Sequence, residues 1–143
     1  MIELKKIDHV GLRVSDKDAA RKFYEKLGFE FITDLGFGNG QSVIMRHASG
    51  FYLDLSGPSA QSEVKNILMD GAPSHTGITH IAFAVDSIED TIKLLEAKGI
   101  KIGGGPIKYP PSDGRTAFLV RDPDRNVIEF VHRSIDRPVS RIE

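Results

Sequence analysis

The chain contains two copies of one pattern. "DHVGLRVSD", Asp8 to Asp16, returns as "THIAFAVDS", Thr79 to Ser87, with His9 lying over His80. A repeat constrains a fold strongly, because each copy must be the same supersecondary unit. After each copy comes a helix-like segment, residues 17–27 and 88–98. Ala19, Ala20, Phe23, Tyr24 and Leu27 fall at helical spacing, as do Ile88, Ile92 and Leu95. Each segment ends at a glycine, Gly28 and Gly99, the residue type that suits the left-handed position closing a helix. Ser15 and Ser87 precede the helices, with Asp18 and Asp90 three residues on, which predicts a capping-box start for both.

Each half then offers three strand candidates. These are residues 30–34, 42–47 and 51–56 in the first half, and 100–103, 116–121 and 127–132 in the second. "DPDRN", Asp122 to Asn126, reads as a turn, and "HASG", His47 to Gly50, holds the matching place. The expected fold is α+β, with βαβββ twice. One domain is expected, made of a module over 7–57, a linker over 58–76 and a module over 77–133, with a tail over 134–143. The linker is polar and punctuated by Gly and Pro, with one short helix expected near Glu63–Met69.

A chain of 143 residues suits one domain with a real core. The formal net charge of −1 leaves no basic surface for nucleic acid or acidic lipid. Cysteine is absent, which removes disulfides, thiolate metal sites and a cysteine nucleophile together. "MIELKKIDHV" lacks the apolar core of a signal peptide, and no apolar run approaches bilayer length. A cytoplasmic protein with a small-molecule partner, and no membrane or nucleic-acid partner, is expected.

Strand alternation puts His9, Gly11 and Arg13 on one face and Val10, Leu12 and Val14 on the helix-facing side. His80, Ala82 and Ala84 repeat the first set. The last strand of each half carries a carboxylate amid apolar residues, Asp54 in "FYLDLS" and Glu129 in "NVIEFV". An unpaired carboxylate there costs several kcal/mol or is neutralised, and a cation is one remedy. Two imidazoles and two carboxylates form an N/O set suited to a divalent transition metal. A lone strand histidine is more often a hydrogen-bonded structural residue. The recurrence of both residue types at matching positions tips the reading toward a metal.

These motifs, with "KFYEKLGFE" and "FLVRDPDRNVIEF", resemble the vicinal oxygen chelate superfamily over residues 7–132. That superfamily includes glyoxalase I, extradiol dioxygenases, thiol transferases and bleomycin-binding proteins. The resemblance implies paired βαβββ modules in a cupped sheet around a metal, with His9, Asp54, His80 and Glu129 as the ligand positions. The ion would be Ni, Co, Zn, Mn or Fe, one per site. Glyoxalase I is the most similar member that the motifs support. By that likeness Arg13 binds an anionic end of the substrate and Glu129 moves protons, in a metal-dependent lyase or isomerase. A homodimer is implied, its sites completed by modules from two chains. Asp54 stands where glutamate is usual, and no asparagine follows it to hold glutathione. The alternatives are an Fe(II) extradiol-type dioxygenase on His9, His80 and Glu129, and a non-catalytic small-molecule binder. Leu119 stands where the dioxygenases carry a tyrosine. Phe37 in "LGFGNG" reads as part of a hairpin turn, and "IKYPPSDGR" as a candidate mobile lid. His47, His75 and His132 lack symmetric partners and stay outside the expected site.

Overall fold

The computed structural model describes residues 1–59 and 66–135. The chain divides into two compact units, Met1–Lys65 and Asn66–Glu143. The first holds β1 (His9–Arg13), α1 (Lys17–Lys26), β2 (Phe29–Asp34), β3 (Val43–His47) and β4 (Tyr52–Ser56). The second holds β5 (His80–Ala84), α2 (Ile88–Ala97), β6 (Ile102–Lys108), β7 (Arg115–Arg121) and β8 (Val127–Arg133). The fold class is therefore α+β, built from two βαβββ modules.

Each unit has one four-stranded mixed sheet, ordered β1-β4-β3-β2 and β5-β8-β7-β6. The first strand runs parallel to the last, and the other neighbours are antiparallel. The carboxylate-bearing strands β4 and β8 thus lie inside their sheets. Alternation does the sorting in β4, where Leu53 and Leu55 are fully buried and Asp54 between them is half-buried on the opposite face. Burying each leucine contributes about 1.5–3 kcal/mol. Val14, Ala20, Tyr24, Phe29, Val43 and Met45 complete that core. In the second unit Phe118 stacks on Phe130, with ring centroids 5.1 Å apart, beside Ile88, Leu95, Val120 and Ile128.

Gly28 and Gly99 close the helices with φ of +94° and +78°, as their positions predict. The Ser87 hydroxyl caps α2 by accepting from the Asp90 N–H. At α1 the cap is Asp16, not Ser15: its carboxylate accepts from the N–H groups of both Asp18 and Ala19. An ionised cap at a helix N-terminus is favoured by the peptide dipoles. Strand β6 runs to Lys108, well past the expected end at residue 103, because two register irregularities absorb "GGGP" into an edge strand. The expected linker helix lies partly outside the described residues, and its described part, from Asn66, is a turn. The tail beyond residue 135 also lies outside them. No helix among the described residues is long and apolar enough to cross a membrane.

Candidate functional site

His9 opens β1, and sheet register sets Gly11 opposite Asp54. The His9 ring reaches diagonally across, leaving Nε2 3.5 Å from Asp54 Oδ2. A Cβ built on Gly11 would meet nothing within 4 Å, so the space beside the aspartate is open. The second unit repeats the arrangement: Ala82 stands opposite Glu129, and His80 Nε2 lies 3.1 Å from Glu129 Oε2.

The other ring nitrogen is held in both units by the residue just before the histidine. His9 Nδ1 lies 2.7 Å from Asp8 Oδ2, and His80 Nδ1 lies 2.9 Å from Thr79 Oγ1. An ionised carboxylate only accepts, so His9 Nδ1 must donate to Asp8. In a neutral ring that leaves the Nε2 lone pair facing Asp54, acceptor toward acceptor. Only a cation between or on them, a ring proton or a metal ion, makes that contact favourable. That hydrogen bond to Asp8, and then the charge of Asp54, raises the pKa of His9 above the ordinary imidazole value. His9 in turn lowers the pKa of Asp8. The threonine hydroxyl both donates and accepts, so His80 is free to hold its proton on Nε2 and give it to Glu129.

Glu129 differs from Asp54 in its surroundings. Its side chain is 8% exposed, against 24% for Asp54. Arg115, which the sequence reading missed, brings Nη1 to 3.4 Å from Glu129 Oε1. Its guanidinium carbon lies 3.8 Å from the centre of the Tyr109 ring, a stacked cation–π contact. Asp113 Oδ1 lies 3.3 Å from Arg115 Nε and 3.4 Å from Arg133 Nη1. Arg115 Nε is buried, and its approach to Asp113 is too poorly aligned for a hydrogen bond. In register, Leu119 pairs with Glu129, and Arg115 sits on the same face of β7 two alternations earlier. Strand alternation places Arg115 on that face, but only the β7–β8 register brings it to Glu129.

Arg13 lies on the His9 face opposite Ser56 and is exposed. The segment expected as a lid is stitched down. Tyr109 N–H donates to Arg115 O, Gly114 N–H to Pro110 O, and Ser134 N–H to Gly114 O. Phe37 packs against Gly57, where a Cβ would come within 2.2 Å of its ring, so that loop is more than a bare turn.

Among the described residues no group of three or more His, Cys, Asp or Glu side chains gathers to hold a metal ion. Each unit presents a pair. Adjacent ligands on a metal with bonds of 2.0–2.2 Å lie about 3 Å apart, and both pairs match that spacing and donor type. The donor sets therefore fit a divalent ion, His9 with Asp54 and His80 with Glu129.

Comparison with known proteins agrees with this architecture. The family model "Glyoxalase/Bleomycin resistance protein/Dioxygenase superfamily" matches residues 6–130, and the chain belongs to that family. It is 30% identical to the uncharacterized protein YwkD of Bacillus subtilis (strain 168), covering 89% of this chain and 96% of that one. It is 28% identical to a lactoylglutathione lyase of Schizosaccharomyces pombe, covering 96% of this chain but half of that protein's length. Among solved structures, TnmS3, an antibiotic binding protein from Streptomyces sp. CB03234, shares the fold with a TM-score of 0.68 at 20% identity. That match covers 94% of this chain and all of TnmS3. A lyase is thus among the sequence relatives, and an antibiotic binding protein shares the fold.

Proposed function

We propose that the chain is a divalent-metal-dependent lyase or isomerase of the glyoxalase type, moving a proton next to a carbonyl on a small, oxygen-rich, anionic substrate. One observation carries the reading: each unit aims a histidine Nε2 at a carboxylate, and in the first unit that contact needs a cation. His9, Asp54, His80 and Glu129 would hold one ion, which is Ni, Co, Zn, Mn or Fe. The lyase relative in Schizosaccharomyces pombe supports the reaction class.

A bound divalent ion supplies Lewis acidity that makes the carbon beside a chelated carbonyl acidic. Glu129 takes the proton from that carbon and returns it to the neighbouring one. Asp8 and Thr79 hold the two imidazole rings so that each Nε2 faces the carboxylate of its own unit. Arg13, on the same sheet face as His9, binds the anionic end of the substrate. Burial of Glu129 excludes competing water from its carboxylate. We further propose a homodimer whose sites draw His9 and Asp54 from one chain and His80 and Glu129 from the other. A monomer by light scattering contradicts the dimer. Mixing His9→Ala with Glu129→Gln chains restores one complete site only if modules are exchanged.

The test follows solvent deuterium and oxygen together. Metal-reconstituted protein receives methylglyoxal with a panel of thiols, a short-chain acyl-CoA epimer and a catechol. Deuterium entering beside a carbonyl, and lost in Glu129→Gln, is the expected result. Oxygen uptake with catechol and no exchange replaces this reading with the dioxygenase. Saturable binding with neither exchange nor oxygen uptake replaces it with a non-catalytic binder.

A further inference from the structure

A glutamate as deeply buried as Glu129 is unstable as an ion unless a positive charge lies against it. The second unit supplies one from its own chain. Arg115 reaches Oε1 while His80 reaches Oε2, so the two carboxylate oxygens are divided between a permanent cation and an imidazole. The guanidinium is itself fixed, by Tyr109 beneath it and by Asp113, which also meets Arg133. A guanidinium is a permanent cation, unlike an imidazole. In the first unit Asp54 has His9 as its one ion-pair partner among the described residues.

We propose that Arg115 is the resident counter-cation of Glu129, and that it sets how tightly the candidate metal is held. This rests on the metal reading above for its second half only. Without metal, Arg115 sets its charge against Glu129 and fixes the orientation of the buried carboxylate. A divalent ion arriving on the same carboxylate meets the repulsion of the guanidinium, so the arginine weakens its binding. Arg115 is thus a positioning residue acting through Glu129, and it lowers metal affinity. Its loss should therefore tighten metal binding, whereas loss of a residue that merely shaped the site would weaken it.

The test uses the full chain stripped of metal, as wild type, Arg115→Gln, Arg115→Lys, Glu129→Gln and the Arg115→Gln/Glu129→Gln double variant. The first readout is the thermal midpoint without metal. Arg115→Gln should lower it in the wild-type background and change it little beside Glu129→Gln. Arg115→Lys, which keeps the charge, should recover most of the loss. An equal loss in both backgrounds assigns Arg115 to packing against Tyr109 and overturns the proposal. The second readout is Co²⁺ affinity by calorimetry. Arg115→Gln should bind about tenfold tighter than wild type or more, and Arg115→Lys should stay near wild type. Unchanged or weaker binding in Arg115→Gln overturns the proposal. If wild type takes up no Co²⁺, the metal reading and the affinity role fall together, and the thermal cycle still decides the counter-cation role.

Discussion

His9 and His80 hold equivalent places in equivalent strands, yet they face different electrostatic problems. His9 gives its Nδ1 proton to a carboxylate and points a lone pair at a second carboxylate, across an open space beside Gly11. His80 has a hydroxyl behind it and a buried glutamate in front, already shared with Arg115. Among the described residues the second pair has an arginine against its carboxylate and the first has none. A duplicated scaffold therefore conserves where donors stand while the neighbours decide what each pair needs.

The largest effect expected from breaking the comparison is on the reaction. Glu129→Gln keeps size and hydrogen bonding but removes the base, and should lower proton exchange by about 100-fold or more. Asp54→Asn should cost clearly less exchange, because its partner group is not the proposed base. Rates of deuterium entry for the two variants check the order.

Next comes the residue behind each ring. Asp8→Ala should weaken metal binding by about 10–100-fold, the usual range for an outer partner of a ligating histidine. Thr79→Val should cost less, since a hydroxyl polarises the ring less than a carboxylate. Calorimetry with Co²⁺ compares them.

A third test sharpens the difference by pH, in protein without metal. The folded pKa of His9 is raised, first by Asp8 and then by Asp54. Its contribution to stability is therefore fully present below the ordinary imidazole value and is lost as pH rises through the raised one. The folded pKa of Asp8 is lowered, so its share is lost as pH falls through the acid range. Asp8→Asn should bring the His9 ring titration back toward the ordinary value, as read by NMR.

The smallest effect concerns the last turn of each unit. Gly50 and Arg125 both have positive φ, +91° and +65°, in the turns before β4 and β8. The left-handed conformation suits glycine and costs an arginine about 1–2 kcal/mol. Arg125 is held there by Asp70, with Nε 2.6 Å from Oδ2 and Nη2 3.1 Å from Oδ1. Arg125→Gly relieves the backbone and loses an ion pair whose arginine is half exposed, and Asp70 keeps Arg121 as a partner, so stability should shift by no more than about 1 kcal/mol. Asp70→Ala loses the pair and keeps the strain, and should be the more destabilising of the two in chemical denaturation.

Much of this was legible in the repeat. Matching "DHVGLRVSD" to "THIAFAVDS" led directly to two βαβββ modules, to their helix-closing glycines and to the facing of His9 and His80. Asp16 escaped as a helix cap because Ser15 beside it fits the same motif, and only backbone geometry shows which side chain reaches the free N–H groups. Strand β6 ran long because a glycine run looks like a loop until a neighbouring strand irons its bulges into an edge. Asp8 and Thr79 stood in plain view before each histidine, but their role depends on ring orientation. Arg115 was invisible for a different reason. Its contact with Glu129 depends on the β7–β8 register, which strand periodicity alone leaves undetermined. The pairing of both units around one ion stays a proposal, carried by the geometry within each.

Calorimetric titration of Co²⁺ into metal-stripped wild type and His9→Ala tests the central claim most directly. The claim is that the acceptor-to-acceptor contact of His9 with Asp54 is completed by a metal ion. One ion per chain in the wild type, with binding lost in His9→Ala, is the predicted result. A wild type that takes up no more Co²⁺ than His9→Ala contradicts it, and leaves a proton on the His9 ring as the only cation between that pair.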